Sequence, residues 1–132
     1  MSQLLLDTTF LIDAERSGSD LEEVIDDEDD IAIAAITVAE LRVGALLASG
    51  RTRSARSAYV DEIAATIPVV GYDLTVAEAH AVLLAHVRNQ GRPRGAHDLV
   101  IAATAKAFGR TVVTADASAF TDLPEVEVRP HR

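Results

Sequence analysis

The sequence predicts an α/β fold: a three-layer α/β/α sandwich built on a mostly parallel, five-stranded sheet. Two observations carry that expectation. Short apolar runs (QLLLD, IAIAAI, TIPVVGY, RTVVT and VEVR) alternate with longer segments of helical pattern, and strands that read as continuous apolar runs belong to parallel sheets covered on both faces. Hydrophobic residues make up 48% of the chain but aromatics only 4%. Alanine, valine, leucine and isoleucine must therefore fill the core, which suits closely spaced helices and buried strands.

In chain order, QLLLD (3–7) is a first buried strand, and TTFLIDAER opens a helix with Thr8 or Thr9 available as its cap. A short helix is expected over DLEEVIDD (20–27), a second strand over IAIAAI (31–36), and helices over 37–49 and, after Gly50, through RSAYVDEIAA (56–65). TIPVVGY (66–72) reads as the third strand. Residues 73–89 form a helix with Ala77, His80, Leu84 and Val87 spaced for one face, broken by Gly91 and Pro93. GAHDLVIAATAKAFG (95–109) is an apolar helix closed by Gly109, RTVVT a strand of β-branched residues, ASAF (117–120) a turn or short helix, and VEVR the last strand.

A chain of 132 residues fits one domain, 1–132, which buries roughly two thirds of the surface of the unfolded chain. No repeat or linker divides it. The absence of cysteine removes disulfides, thiol catalysis, zinc–thiolate sites and iron–sulfur clusters, and fits a reducing cytoplasm. The amino terminus lacks the basic region of a secretory signal, and no apolar stretch reaches the ~18 residues of a membrane span; a soluble, cytoplasmic protein with no membrane partner is expected. A net charge of -9 speaks against a broad basic surface for nucleic acid. The arginines nevertheless gather in RTRSAR (51–56) and RNQGRPR (88–94), where their forks suit phosphate contacts. The acidic run DDEDD (26–30) reads as a solvated turn.

Four acids hold the chemistry. Asp7 closes the first strand, Glu40 follows the second, Asp116 follows TVVT, and Asp98 lies in the first turn of the helix feeding that strand. In a parallel sheet these positions share one edge, where ligands bind. Each has a structural explanation by itself. Asp7 caps a helix; Glu40 completes a capping box with Thr37 in TVAE; Asp98 interacts with the helix dipole; Asp116 is a turn residue. Together they are costly: two carboxylates about 4 Å apart repel by about 4 kcal/mol at an effective dielectric near 20. Either they take up protons or a divalent cation neutralises them. Oxygen ligands without thiols favour Mg2+ or Mn2+, and such a centre suits hydrolysis of phosphate esters, for which nucleic acid is a natural substrate.

The motifs LLLDTTFLID, ITVAELRVGAL, HDLVIAATA and VVTADASAF, in this order across essentially the whole chain, resemble those of the PIN-domain ribonucleases, and among them the VapC-type toxins of type II toxin–antitoxin pairs. The resemblance implies a five-stranded parallel sheet between helices and an acidic edge that binds Mg2+ or Mn2+. By position, Asp7 and Asp98 are the principal metal ligands, Glu40 and Asp116 complete the catalytic set, and the hydroxyls of Thr8 and Thr114 order water and carboxylates. It also implies endoribonuclease cleavage of RNA, often transfer or ribosomal RNA, a cognate VapB-type antitoxin covering the site, and a homodimer, for which the alanine-rich helices at 38–48 and 58–65 are plausible faces. One position departs from the pattern: many relatives carry arginine where this chain has Ala115, which leaves Arg110 or Arg94 as candidates to grip substrate. His97, His80 and His86 are read as surface or packing residues and left out of the site. A receiver or aspartyl-phosphatase domain also places acids at strand ends, but its phosphoryl-binding lysine is absent, because the single lysine, Lys106, falls mid-helix. A catalytically inactive binding module has no use for all four acids.

Overall fold

The computed structural model describes residues 2–18, 21 and 25–131. Its architecture is set by three consecutive leucines. Leu4, Leu5 and Leu6 lie in strand β1 (Gln3–Leu6) and are fully buried. Successive side chains of a strand point to opposite faces. Leu5 therefore enters one core with Ala32, Ala34 and Val112, and Leu4 and Leu6 enter another with Ile33 and Val113. A strand that needs apolar cover on both sides belongs at the centre of a sheet. β1 sits there, paired in parallel with β2 (Asp30–Ala34) and β4 (Thr111–Thr114), so that Leu5 lies opposite Ala32 and Val112. β3 (Val69–Val70) and β5 (Val128–Pro130) are the edges, giving the order β3-β2-β1-β4-β5 with every pairing parallel.

The Leu4 and Leu6 face is covered by helices α1 (Thr8–Ser17), α2 (Ala35–Leu47) and α3 (Gly50–Thr66), through Phe10, Leu11, Leu41, Val60 and Ile63. The Leu5 face is covered by α4 (Leu74–Gln90) and α5 (Ala96–Ala107), through Val76, Leu83, Val87, Leu99 and the run from Ile101 to Ala105. The expected three layers are therefore present. Arg110 closes the opposite edge from the acids: its guanidinium donates to the carbonyls of Leu4 (3.2 Å) and Asp30 (2.9 Å) and to the Asp30 carboxylate (3.1 Å).

Several boundaries differ from the sequence reading, each for a local reason. The second strand ends at Ala34, and α2 starts at Ala35 rather than Thr37; no side chain caps it. Thr37 is fully buried in the first turn of the helix, its hydroxyl 3.3 Å from that of Thr8. The TVAE capping box is thus not formed. Of the caps the sequence offers for α1, Asp7 serves, and Thr8 and Thr9 do not. α4 buries Val76, Leu83 and Val87, so the core face is rotated from the one expected, and His80 instead meets the Tyr72 hydroxyl at 2.9 Å. β3 covers only Val69 and Val70, because Ile67 still closes α3 and Pro68 has no amide to give. Of the helix expected over 20–27, residues 20 and 22–24 lie outside the described residues, and 25–27 form a bend and turn, not a helix. Among the described residues, no helix is long and apolar enough to cross a membrane.

Leu5→Ala should cost about 2–5 kcal/mol of stability, the range for truncating a fully buried leucine, read as a lowered urea midpoint.

Candidate active site

Because every strand is parallel, the residues that follow β1, β2 and β4 emerge at one edge. Asp7 emerges first and is 1% exposed. A buried carboxylate needs donors, and the start of α1 supplies them. The Phe10 amide donates to Oδ1 at 2.8 Å, and the Thr9 hydroxyl sits 2.9 and 3.0 Å from the two oxygens. Thr9 also receives the Ala115 amide at 3.2 Å and lies 3.1 Å from the Thr114 hydroxyl, which accepts the Asp116 amide at 2.9 Å. The ends of β1 and β4 are thereby locked through hydroxyls. Burial pushes the Asp7 carboxyl above its ordinary value of 3.8, against the hydrogen bonds of Thr114, Phe10 and Thr9, and the Asp116 charge adds to the rise.

Glu40 projects from the second turn of α2. Its Oε1 accepts the Thr8 hydroxyl at 2.7 Å, and its Oε2 lies 3.2 Å from Nδ1 of His97. The carboxylate that the sequence allots to a capping box points across to two other helices. Asp98 occupies the first turn of α5, beside an open cleft lined by Glu40, Gly95, Ala96, His97 and Asp98. Gly95 makes room for it: a Cβ at 95 would lie 2.7 Å from Oδ2 of Asp98. Burial raises the Asp98 pKa first, then the charges of Glu40, Asp7 and Asp116, with His97 acting in the opposite sense. Asp116 is the exposed member, its Oδ1 accepting the Ser118 hydroxyl at 2.6 Å.

Asp98 is thus within electrostatic reach of the other three sequence-selected acids, and Asp7 of Asp116. They do not form a closed cage: among the described residues, no group of three or more acids and histidines is drawn together tightly enough to enclose an ion. Thr8 and Thr114 lie where the sequence reading puts them, as hydroxyls serving Glu40 and the Asp7–Thr9 network. Thr9, Thr37, Ser118 and His97 are added by the structure. Neither candidate arginine stands in for Ala115. Arg110 is at the far edge, and Arg94 donates to the carbonyls of Ala119 and Thr121.

A parallel sheet whose carboxyl edge gathers carboxylates under hydroxyl control defines an acid-edged α/β domain. The pattern of the PIN domain matches residues 4–126, and the chain belongs to that family. Ribonuclease VapC4 of Mycobacterium tuberculosis is 33% identical over 124 residues, covering 94% of this chain and 93% of the relative. Toxin FitB of Neisseria gonorrhoeae is 34% identical over 98 residues, 70% of this chain and 69% of FitB. Among solved structures, VapBC-5 of Mycobacterium tuberculosis, a member of the VapBC family of toxin–antitoxin systems, superposes with a TM-score of 0.81 at 29% identity, covering 98% of this chain and 99% of the other. The chain is a homologue of the VapC and FitB toxins.

The raised pKa of Asp98 sets a pH dependence in the metal-free protein. The folded state holds this proton more tightly than the unfolded chain does. Stability therefore falls as pH rises from the ordinary value of 3.8 through the higher folded value. The helix dipole, about 0.3–1 kcal/mol in favour of the charge, is outweighed, since the net shift is upward. Asp98→Asn should flatten this part of the profile and raise the melting temperature at neutral pH, measured by calorimetry across pH without metal.

Proposed function

We propose that the chain is a metal-dependent endoribonuclease, the toxin of a type II toxin–antitoxin pair, which hydrolyses RNA phosphodiester bonds at the edge bearing Asp7, Glu40, Asp98 and Asp116. The observation that carries this reading is the gathering of Asp7, Glu40 and Asp116, which follow strands of one parallel sheet, with Asp98 at the same carboxyl edge. Two half-buried or buried carboxyls are held against burial and against the charges of Glu40 and Asp116, a cost that a divalent cation would remove. The donor set fits a hard ion, since it consists of carboxylate and hydroxyl oxygens, and the space above Gly95 leaves the Asp98 carboxylate unobstructed. Mg2+ keeps several waters and takes one or two direct carboxylates, which suits an open acidic edge better than a closed cage. Asp7 and Asp98 would hold the ion, with Glu40 and Asp116 acting beside it.

When bound, Mg2+ or Mn2+ supplies an activated water and stabilises charge on the phosphoryl oxygens. The protein's own part is orientation. Thr9 and the Phe10 amide fix both oxygens of Asp7, Thr8 fixes Oε1 of Glu40, and Ser118 holds Oδ1 of Asp116. Glu40 keeps Oε2 toward the cleft, where His97 meets it. A phosphotransfer role is disfavoured, because Lys106, which lies in the last turn of α5 and not at its middle, pairs with Glu125 at 3.9 Å, at the far end of the helix from Asp98.

Transfer or ribosomal RNA is the proposed substrate and a VapB-type antitoxin the proposed partner, acting in the cytoplasm. A groove between α1, α2 and α3, lined by Ile12, Leu41, Tyr59 and Val60 together with the charged Glu15, Arg16 and Arg56, reaches Glu40 and would let a partner segment approach the site. A homodimer is also proposed. α2 and α3 pack mainly on each other, but Val43, Leu46 and Leu47 stay exposed on α2.

Total RNA incubated with the protein and Mg2+ or Mn2+ should be cut at defined positions, and Asp7→Asn or Asp98→Asn should abolish cutting. Glu40→Gln keeps an acceptor for Thr8 and should fold normally yet lose activity. RNA cut equally by these variants, or a stable acyl-phosphate on Asp7 after incubation with a small phosphodonor, would overturn the assignment. Metal at a hundred times its Kd should stabilise the folded wild type by about 2.7 kcal/mol, seen as a raised melting temperature that Asp98→Asn does not show.

A further inference from the structure

Asp98 is presented by a loop-to-helix junction and Asp116 by a short turn. α4 ends at Gly91 in the left-handed conformation (φ 65), and residues 92–95 have no regular structure. Pro93 has no amide to donate, and Gly95, the cap of α5, has no side chain to offer. On the other side, Asp116 leaves β4 and enters a 3-10 turn, Ala117–Ala119, that no side chain caps. The Thr9 and Thr114 hydroxyls hold the Ala115 and Asp116 amides at the end of β4, and the relation of the turn beyond them to the loop before α5 is left to other contacts.

One side chain joins them. Arg94, half-buried four residues before Asp98, donates from Nη1 to the Ala119 carbonyl at 3.1 Å and from Nη2 to the Thr121 carbonyl. The planar guanidinium offers two parallel donors, and these two carbonyls, two residues apart, accept both. His86 adds a tie from α4 to the same turn, with Nε2 3.2 Å from the Asp122 carbonyl. The charges acting on Asp98 are those of Glu40, Asp7, Asp116 and His97, so Arg94 works on the backbone and not by neutralising the acid.

We propose that Arg94 is a positioning residue, a strap that ties the loop presenting Asp98 to the turn presenting Asp116 and so sets the spacing of the two acids. The inference rests on the metal-site reading above. Its prediction differs from that of a residue that merely stabilises the fold: the strap governs the affinity of the folded protein for metal, because groups that orient ligands typically alter metal affinity or activity by about ten- to a hundredfold.

The test compares wild type, Arg94→Met, which keeps the apolar stem and loses the fork, and Arg94→Lys, which keeps the charge but offers a single point donor. Mn2+ binding without RNA is measured by calorimetry, together with backbone amide exchange of the metal-free proteins. Both variants should bind Mn2+ about ten- to a hundredfold more weakly, exchange faster at residues 117–121, and lose kcat more than they gain KM, with a metal-free melting temperature close to wild type. If Arg94→Met does not fold, Arg94→Lys decides alone. Wild-type Mn2+ affinity and kcat in a folded variant would overturn the strap and leave the metal site standing, as would a lowered melting temperature with unchanged affinity. A wild type that binds no Mn2+ would bring down the metal reading and the strap with it.

Discussion

A carboxylate buried at the end of the central strand is the constraint around which the site is arranged. Asp7 is 1% exposed, so its oxygens are met largely from within. The amide of Phe10 and the hydroxyl of Thr9 do this, which forces α1 to begin directly after β1 and turns its amino terminus toward the sheet edge. Thr9 is then in place to receive the Ala115 amide and to face Thr114, so that the chain leaving β4 is fixed relative to the chain leaving β1. The second acid-bearing segment is reached through Thr8, whose hydroxyl meets Glu40. Two adjacent threonines thus divide the work, one for each flank of Asp7.

The layers of the fold could be read from the sequence because the signal is local. Leu4, Leu5 and Leu6 are apolar in succession, and only a strand buried on both faces has use for that. The acids were legible for a related reason, since Asp7, Glu40 and Asp116 follow strands, Asp98 opens the helix that leads into β4, and the shared edge is a property of parallel sheets. What escaped was set by partners remote in the chain. Thr37 and Glu40 match a capping box letter for letter, yet Ala35 and Ile36 carry no stop signal, and the helix runs back to them. The hydroxyl of Thr8, remote in the chain, then claims Glu40. His97 faces Glu40 and Arg94 faces the carbonyls of Ala119 and Thr121. A backbone carbonyl leaves no mark in the sequence, so no residue type announces the partner of Arg94. The rotated face of α4 has the same origin: Tyr72 draws His80 outward, and periodicity alone does not register it.

The use of arginine clarifies how an acidic chain can address a polyanion. Arg110 binds Asp30 and two carbonyls, Arg42 binds Asp61 at 2.6 Å, Arg56 reaches the Gly44 carbonyl, and Arg94 straps the site. Much of the positive charge is engaged within the protein. With net charge -9, the field at the carboxyl edge opposes phosphate until cations collect there, so the chemistry and the attraction for substrate draw on the same ions.

Gly95 has a consequence of a different kind. A methyl group at that position would collide with the free end of the Asp98 side chain, not with backbone. The collision is relieved by swinging the carboxylate aside, which costs the fold little. Position 95 therefore separates two kinds of selection that usually travel together: a replacement there can pass every test of folding and still leave the acid aimed elsewhere.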